Sequence, residues 1–294
     1  MMADENDKGL AGGYGEGTVD TVLSADDAAR EAQALARSVP REAILALAKG
    51  DPLLGIEGLR AGYGAMEILH GIDLALGAGQ SLCLVGPNGA GKSTVLHSIF
   101  GFTKITGGRI LADGRDVTGM PPAARLRDAG IAYVLQDNSV FPDMTVEENL
   151  AMGGYLLAGR RDVHEAVERV FARYDRLAKR RRERAGVLSG GERRLLEISR
   201  ALIMDPKILL VDEPSIGLEP RMIDMVFDIL GALQREQGKT ILMIEQNARR
   251  GLAFADIGYV LVAGRVALAG EGAGLLENPD VGRLFLGGQT AHAG

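Results

Sequence analysis

The segment GPNGAGKST, residues 86–94, limits the folds open to this chain more than any other part of its sequence. It follows the apolar run SLCLV and leads into VLHSIFG, which is the strand–loop–helix setting of the pattern G-x-x-x-x-G-K-[ST]. Glycines let successive backbone N–H groups point at one anion, and the N-terminus of the following helix adds its positive dipole end. The segment therefore predicts a cradle for the phosphates of a nucleoside triphosphate.

This loop contains the residues predicted to bind the nucleotide, which are Gly86, Pro87, Asn88, Gly89, Ala90, Gly91, Lys92, Ser93 and Thr94. Lys92 can reach the β and γ phosphates, and the hydroxyl of Ser93 can serve as a ligand of Mg²⁺. These residues identify a nucleotide but not the reaction that follows.

A second motif, KILLVDEPS, adds hydrolytic chemistry. Its apolar residues lead to Asp212 at the tip of a predicted strand, where a carboxylate can hold Mg²⁺ through water. Glu213 comes next and can orient and polarise an attacking water. Together with the phosphate loop, this pair of acids predicts hydrolysis rather than binding alone.

Short apolar runs and one amphipathic stretch predict an α/β fold. The runs SLCLVG, IAYVLQ, KILLVDEP and KTILMIEQ are typical of strands buried on both faces of a parallel sheet, and HGIDLALGAG alternates like a strand with one buried face. In DVHEAVERVFARYDRLAKR, residues 162–180, apolar side chains recur at the spacing of one helix face. The sheet is therefore predicted to be interrupted by a helical insertion and then resumed.

Composition and charge exclude several classes of protein. A net charge of −6 argues against a general nucleic-acid binder, and the basic run RLAKRRRER, residues 176–184, is predicted to be a solvated helix end. The single cysteine, Cys83, excludes an internal disulfide framework and is predicted to lie in the core. The four histidines lack metal-ligand spacing, and no stretch is apolar enough to span a bilayer.

The segment LSGGERR, residues 188–194, decides the family. With the two motifs above it closely resembles the signature of the ABC-type ATPases, and the order also matches: phosphate loop, a glutamine after a strand (Gln136), helical insertion, signature, acid pair. The resemblance covers roughly residues 53–288. It implies an α/β P-loop NTPase fold, the ABC cassette, with a mostly parallel core sheet, an antiparallel β subdomain and an inserted helical subdomain.

The resemblance implies an ATPase that works with a second ABC ATPase subunit, as a homodimer or heterodimer. Ser189, Gly190 and Gly191 would bind the γ-phosphate held in the other subunit, and Tyr63 is similar to the aromatic residue that stacks on adenine. The implied cofactors are ATP and Mg²⁺. The implied metal ligands are Ser93, Gln136 and Asp212, and the implied catalytic residues are Lys92, Gln136, Glu213 and Gln246.

Gln246 indicates which group within the family this chain resembles. Most transport ATPases of this family end the last catalytic strand with a histidine, whereas this chain has a glutamine there. The segment IEQNARRGLAFADIGYVLVAGRVALAGEG resembles the ATP-binding subunit of branched-chain amino acid importers, in which glutamine is common at this place. That implies membrane permease subunits and a solute-binding protein as partners, no nucleic acid, and a peripheral position on the cytoplasmic face of the plasma (inner) membrane.

Other functions stay open at this point. Urea and short-chain amide importers share several of these features. A soluble ABC ATPase acting on ribosomes or DNA is less consistent with one phosphate loop and a compact insertion of 51 residues, 137–187. A regulatory module that hardly hydrolyses ATP is opposed by the intact set of Lys92, Ser93, Asp212 and Glu213.

The chain is predicted to divide into three parts. Residues 1–51 carry ten acids against five bases and form an acidic Gly/Ala-rich extension that is predicted to be disordered or partly helical. Residues 52–288 are the predicted ABC ATPase domain, with its helical subdomain at about 138–190. Residues 289–294 are a predicted tail.

Overall fold

The computed structural model describes residues 39–136 and 139–285. Predictions for residues 1–38 and 289–294 lie outside these ranges. The strands of the described part are β1 (Pro52–Tyr63), β2 (Met66–Gly77), β3 (Ser81–Val85), β4 (Lys104–Ala112), β5 (Arg115–Asp116), β6 (Ile131–Val134), β7 (Ile208–Asp212), β8 (Thr240–Ile244), β9 (Ile257–Val262) and β10 (Arg265–Glu271).

The helices surround and interrupt these strands. They are α1 (Arg41–Leu45), α2 (Lys92–Phe100), α3 (Pro122–Ala129), α4 (Val146–Gly153), α5 (Arg160–Arg173), α6 (Asp175–Lys179), α7 (Gly190–Leu202), α8 (Pro220–Gln237), α9 (Ala248–Phe254), α10 (Gly272–Glu277) and α11 (Pro279–Phe285). No helix in the described ranges is both long and apolar enough to cross a membrane.

The core sheet has the order β10-β9-β3-β8-β7-β6. Its neighbours from β9 to β6 are parallel, and only β10 runs antiparallel, so the predicted mostly parallel sheet is confirmed. Every residue of β3, β7, β8 and β9 is buried, as expected of strands covered on both faces. Cys83 lies in β3 and is fully buried, which confirms its prediction as a core residue.

Because these strands are parallel, the predicted functional motifs lie together at the carboxyl ends of the strands. β3 and β7 are both neighbours of β8 and run parallel to it, so the carboxyl ends of all three strands open on the same side. The loops after these strands carry the phosphate-loop motif, the acid pair and the polar segment 245–247. Ligands of open α/β sheets bind at such carboxyl ends.

A second, antiparallel sheet has the order β2-β1-β4-β5 and confirms the predicted β subdomain. One buried apolar cluster contains Leu54 and Leu74 of this sheet together with Leu84 and Leu242 of the core sheet. The two sheets therefore share a core, with α2 contributing Leu96 to the same cluster.

Helices α4 to α7 form the inserted helical subdomain, which has its own buried cluster with Leu150, Phe171 and Leu196 among its members. The amphipathic stretch predicted over residues 162–180 is divided in the structure. Tyr174 adopts φ −118° and ψ 83°, which ends α5 and lets α6 start in a new direction. Leu177 of α6 thereby reaches the same buried cluster.

The described residues before β1 pack against the antiparallel sheet. Ile44 of α1 is 4% exposed and belongs to the shared core, and the backbone N–H of Lys49 donates to Oε1 of Gln80 at 2.8 Å. Arg41 forms an ion pair of 3.0 Å with Glu57 in β1. The boundary at residue 52 stays a prediction, and residues 39–51 are in contact with the cassette.

Candidate functional site

The phosphate loop connects β3 to α2 and depends on glycines at two close approaches. Gly86 has φ 147°, and a Cβ there would lie 2.1 Å from the carbonyl oxygen of Leu261. Gly91 precedes α2 with φ 97°, and its Cβ would lie 2.9 Å from a methyl group of Leu69. Side chains at these positions would push the loop away from the sheet, so the glycines let it lie close to β9 and β2.

Lys92 is folded back over this loop. Its ammonium group donates to the carbonyl oxygens of Gly86 at 2.8 Å and Pro87 at 3.0 Å, and the residue is 9% exposed. Burial lowers the pKa of Lys92, while the nearby carboxylates of Glu213 and Asp212 oppose that shift. A phosphate in the loop would offer the buried ammonium a stronger partner than these carbonyls.

Asp212 ends β7 with its two carboxylate oxygens in different surroundings. Oδ2 accepts a hydrogen bond of 2.8 Å from the hydroxyl of Tyr133, whereas Oδ1 is buried and has no partner among the described residues. Burial raises the pKa of Asp212. An orphaned buried carboxylate oxygen fits a hard cation such as Mg²⁺, which prefers oxygen ligands.

Glu213 stands in a strained turn. Its φ is 43°, in the left-handed region that non-glycine residues rarely adopt, at a cost of about 1–3 kcal/mol. Its backbone N–H donates to the carbonyl of Ile244 at 3.0 Å, and Gln136 Nε2 donates to Glu213 Oε2 at 3.1 Å. The structure therefore brings together Lys92, Gln136, Asp212 and Glu213, whose catalytic and metal-binding roles remain predictions.

Arg194 is a residue of this site that sequence reasoning missed. It is 5% exposed, and its guanidinium donates to the carbonyls of Leu135 at 2.7 Å, Asp212 at 3.0 Å and Glu213 at 3.1 Å. It also pairs with Glu197, one turn along α7, at 2.8 Å. Arg194 thus fastens the signature helix to both loops that carry predicted catalytic groups. The only signal in the sequence was its place in LSGGERR.

The signature residues predicted to bind phosphate, Ser189, Gly190 and Gly191, form the N-terminal end of α7. Ser189 caps α7 in a reciprocal capping box: its Oγ accepts from the N–H of Glu192 at 3.3 Å and donates to Glu192 Oε2 at 2.9 Å. Ser189 and Gly190 are exposed, and Gly191 is buried against Met222 of α8. Within the described residues, the hydrogen bonds of the Ser189 side chain go to Glu192 and not to the phosphate loop.

Tyr63 closes β1 with its side chain 42% exposed. Its hydroxyl is hydrogen-bonded to Nδ1 of His97 in α2, and the two rings meet edge to face at 6.1 Å. Burial lowers the pKa of His97. The hydroxyl of Tyr63 is therefore held against the phosphate-loop helix, while its exposed ring leaves a surface on which a base could stack.

Three polar residues follow β8, and they differ in exposure and in hydrogen bonding. Glu245 is 2% exposed, and its Oε1 accepts from the hydroxyl of Ser215 at 2.7 Å and from the N–H of Asn247 at 3.0 Å. Asn247 caps α9 by accepting from the N–H of Arg250 at 3.1 Å. Gln246, between them, is exposed. Two of the three polar residues hold the segment in place, and contact of Gln246 with a ligand stays a prediction.

Arg180 and Arg181, in the basic run before the signature, are paired with acids. Arg180 contacts Glu192 at 2.8 Å, and Arg181 bridges Glu147 and Glu168 at 2.5 and 2.6 Å. This pairing suits a solvated helix end rather than a nucleic-acid surface. The guanidinium of Arg181 thus forms ion pairs with both acids of the group Glu147, His164 and Glu168, which resembles a metal site by proximity alone.

Comparison with known proteins identifies the family. Residues 69–216 match the ABC transporter family. The high-affinity branched-chain amino acid transport ATP-binding protein BraG of Pseudomonas aeruginosa is 41% identical over 80% of this chain and 100% of its own length. The probable branched-chain amino acid transport ATP-binding protein LivF of Archaeoglobus fulgidus is 38% identical over 78% of this chain and 96% of its own.

Solved structures agree with these sequence matches. A nucleotide-free ATP-binding cassette from an ABC transporter superposes with a TM-score of 0.71 at 29% identity, covering 80% of this chain and 99% of that one. The ADP conformation of an ATP-binding cassette of an ABC transporter gives the same TM-score at 30% identity. The fold, the motifs and the relatives lead to one conclusion: this chain belongs to the ABC transporter family and is one of its ATPases.

Proposed function

We propose that this chain is the subunit that binds and hydrolyses ATP for a membrane importer of branched-chain amino acids. The observation that carries the proposal for the cargo is the 41% identity to BraG, which extends over the whole length of that protein. Support for hydrolysis comes from the cluster of Lys92, Gln136, Asp212 and Glu213 at one edge of the sheet.

In this proposal the phosphate loop, residues 86–94, binds the triphosphate and Lys92 neutralises the β and γ phosphates. Tyr63 stacks on adenine. Ser93, Gln136 and Asp212 would hold Mg²⁺, which when bound offsets the negative charge of the phosphate oxygens. Glu213 orients and polarises the attacking water, because the left-handed turn and the hydrogen bond from Gln136 fix its place.

The exposed N-terminus of α7 suits a second ATPase subunit. Ser189 and Gly190 are exposed, and the helix dipole adds positive potential there. A phosphate held by another subunit would find at this point the donors that its own loop lacks. The proposal does not depend on whether the second subunit is identical, as in a homodimer, or a sister ATPase.

A groove between the core sheet and the helical subdomain is the proposed contact with a permease. It has a volume of about 430 Å³ and is lined by Leu135, Phe141, Met152 and Tyr155. The side chains of Phe141, Met152 and Tyr155 are 45%, 44% and 64% exposed, an unusual density of exposed apolar residues. Leu135 is adjacent to Gln136, so a short apolar helix of the permease seated here would lie next to the catalytic glutamine.

The test measures ATP hydrolysis by the chain after it has been reconstituted in liposomes with its permeases and solute-binding protein. We expect Mg²⁺-dependent ATP hydrolysis on the cytoplasmic face of the membrane, stimulated by leucine, isoleucine or valine. Stimulation by urea or acetamide alone would assign the cargo to short-chain amides. A chain that hydrolyses ATP but purifies with ribosomes and without permeases would overturn the transport function.

A further inference from the structure

Tyr133 lies in the outer strand of the core sheet and is hydrogen-bonded to the acid pair. It lies in β6, the strand next to β7, and its backbone is in register with Leu210 of that strand. Its side chain extends along β7, and its hydroxyl donates to Oδ2 of Asp212 at 2.8 Å. In the sequence Tyr133 appears only as one residue of an apolar strand.

The ring of Tyr133 is held by the helix that carries the phosphate loop. It packs against Phe100 with ring centres 5.6 Å apart, against His97 at 5.9 Å, and against Phe102 at 6.3 Å. His97 and Phe100 belong to α2, which starts at Lys92. The hydroxyl of Tyr133 therefore has a fixed position relative to the phosphate loop.

In this hydrogen bond the hydroxyl of Tyr133 is the donor, because the oxygen of the Asp212 carboxylate is the acceptor. A carboxylate without such a donor can rotate about its terminal torsion, which has broad minima. The hydrogen bond removes that freedom and makes the two oxygens of Asp212 unequal.

We propose that Tyr133 is a positioning residue for the cation of the nucleotide site: it engages Oδ2 of Asp212 and thereby keeps Oδ1 available to the cation. The inference rests on the proposed function, in which Asp212 is a ligand of that cation. It extends the site by one residue, which acts through Asp212 and does not itself touch the metal.

The variant Tyr133→Phe separates this function from packing, because it keeps the ring and removes only the hydroxyl. A matched control is Tyr259→Phe. Tyr259 is fully buried, and its hydroxyl accepts a hydrogen bond of 3.3 Å from the N–H of Ala75, between the two sheets. Both variants lose one hydrogen-bonded phenol oxygen, but only Tyr133 contacts Asp212.

The experiment measures binding of Mn²⁺ to the full chain in the presence of ADP, by the loss of the free-ion signal in electron paramagnetic resonance. Binding of ADP in EDTA is measured alongside by calorimetry. We expect Tyr133→Phe to weaken Mn²⁺ binding about tenfold or more, as removal of a group that orients a metal ligand does. Metal-free ADP binding should be unchanged in both variants, and Mn²⁺ binding should be unchanged in Tyr259→Phe.

Two results would overturn the inference: Mn²⁺ affinity of Tyr133→Phe equal to that of the unaltered chain, or a loss of ADP affinity in EDTA that accounts for the whole effect. Its failure can be told from failure of the proposed function. If the unaltered chain binds no Mn²⁺ with ADP, both are wrong. If the unaltered chain binds Mn²⁺ with ADP and hydrolyses ATP, but Tyr133→Phe binds Mn²⁺ equally well, only the inference about Tyr133 falls.

Discussion

Ser215 donates a hydrogen bond of 2.7 Å to Oε1 of Glu245, joining the loop after the acid pair to the end of β8. Ser215 follows Glu213 by two residues, and Glu245 immediately precedes Gln246. The bond therefore connects the two segments that present the predicted water-activating acid and the predicted phosphate-contacting glutamine. The other oxygen of Glu245 is buried and has no partner among the described residues. The hydrogen bond from Ser215 therefore offsets part of the free-energy cost of burying this carboxyl group.

We predict that Ser215→Ala lowers the free energy of unfolding by about 1–3 kcal/mol, because it removes a donor from a buried carboxylate. The same substitution should cost less in a Glu245→Gln background, since an uncharged amide is cheaper to leave without a partner. Urea unfolding of the two single variants and the double variant measures this coupling. Strictly additive costs would show that the bond contributes nothing to holding the two segments together.

Glu213→Gln should lower ATP turnover about 100-fold or more, because the amide cannot accept a proton from the attacking water. ATP binding should be kept, so the variant is expected to accumulate as an ATP-bound dimer. Steady-state hydrolysis and size-exclusion chromatography with ATP are the measurements. Glu236→Gln serves as the control, since Glu236 is an exposed acid on α8. Turnover unchanged in Glu213→Gln would remove Glu213 from the site.

Lys92→Ala should abolish the stabilisation of the chain by ATP. For the unaltered protein, ATP at about 100 times its Kd adds about 2.7 kcal/mol to the free energy of unfolding. The variant loses the ammonium that the loop provides for the phosphates, so its thermal midpoint should not respond to ATP. Lys207→Ala is a suitable control, because Lys207 is exposed and pairs with Asp113. An equal response to ATP in Lys92→Ala and Lys207→Ala would contradict the assignment.

Much of this site could be predicted because its signals are local. The phosphate loop, Asp212 and Glu213 each follow an apolar strand, and parallel pairing then brings them to one edge of the sheet. Tyr133 could not be predicted in the same way, because its partner is 79 residues away and an apolar strand is sufficient reason for a tyrosine. The apolar pattern of a strand predicts which residues are buried, but it does not predict which buried hydroxyl is hydrogen-bonded to which carboxylate.

Arg194 shows the same limit. Its partners are residues 135, 136, 197 and 212–214, and no spacing in the sequence relates these segments. The break at Tyr174 is a further example, because the apolar spacing continues through it while the backbone leaves the helix. In each case a contact in three dimensions overrides a local pattern.

Arg194→Lys should be strongly destabilising although it keeps the positive charge. Lysine has one donor group where arginine has a fork, so it cannot serve Glu197 together with the carbonyls of both loops. Each buried carbonyl left without a donor costs about 1–3 kcal/mol, and several lose their donor together, so we expect a loss of several kcal/mol in chemical denaturation. Arg193→Lys is the matched control, since the neighbouring Arg193 is less buried and its Nε has no partner in the described residues. Equal stability of the two variants would contradict this account of Arg194.

Gln246→Ala should lower ATP turnover about tenfold while leaving ATP binding intact, because an exposed amide at the strand tip both donates and accepts hydrogen bonds. Glutamine does not titrate, so turnover of the unaltered chain should lack the step near pH 6.5 that a histidine introduces. Gln246→His should create that step, visible in turnover measured from about pH 5.5 to 8.5. The control is Gln237→Ala, which removes the side-chain amide of an exposed glutamine at the end of α8. If Gln246→Ala hydrolyses ATP at the original rate, the polar segment after β8 acts only through Glu245 and Asn247, as a support for its neighbours.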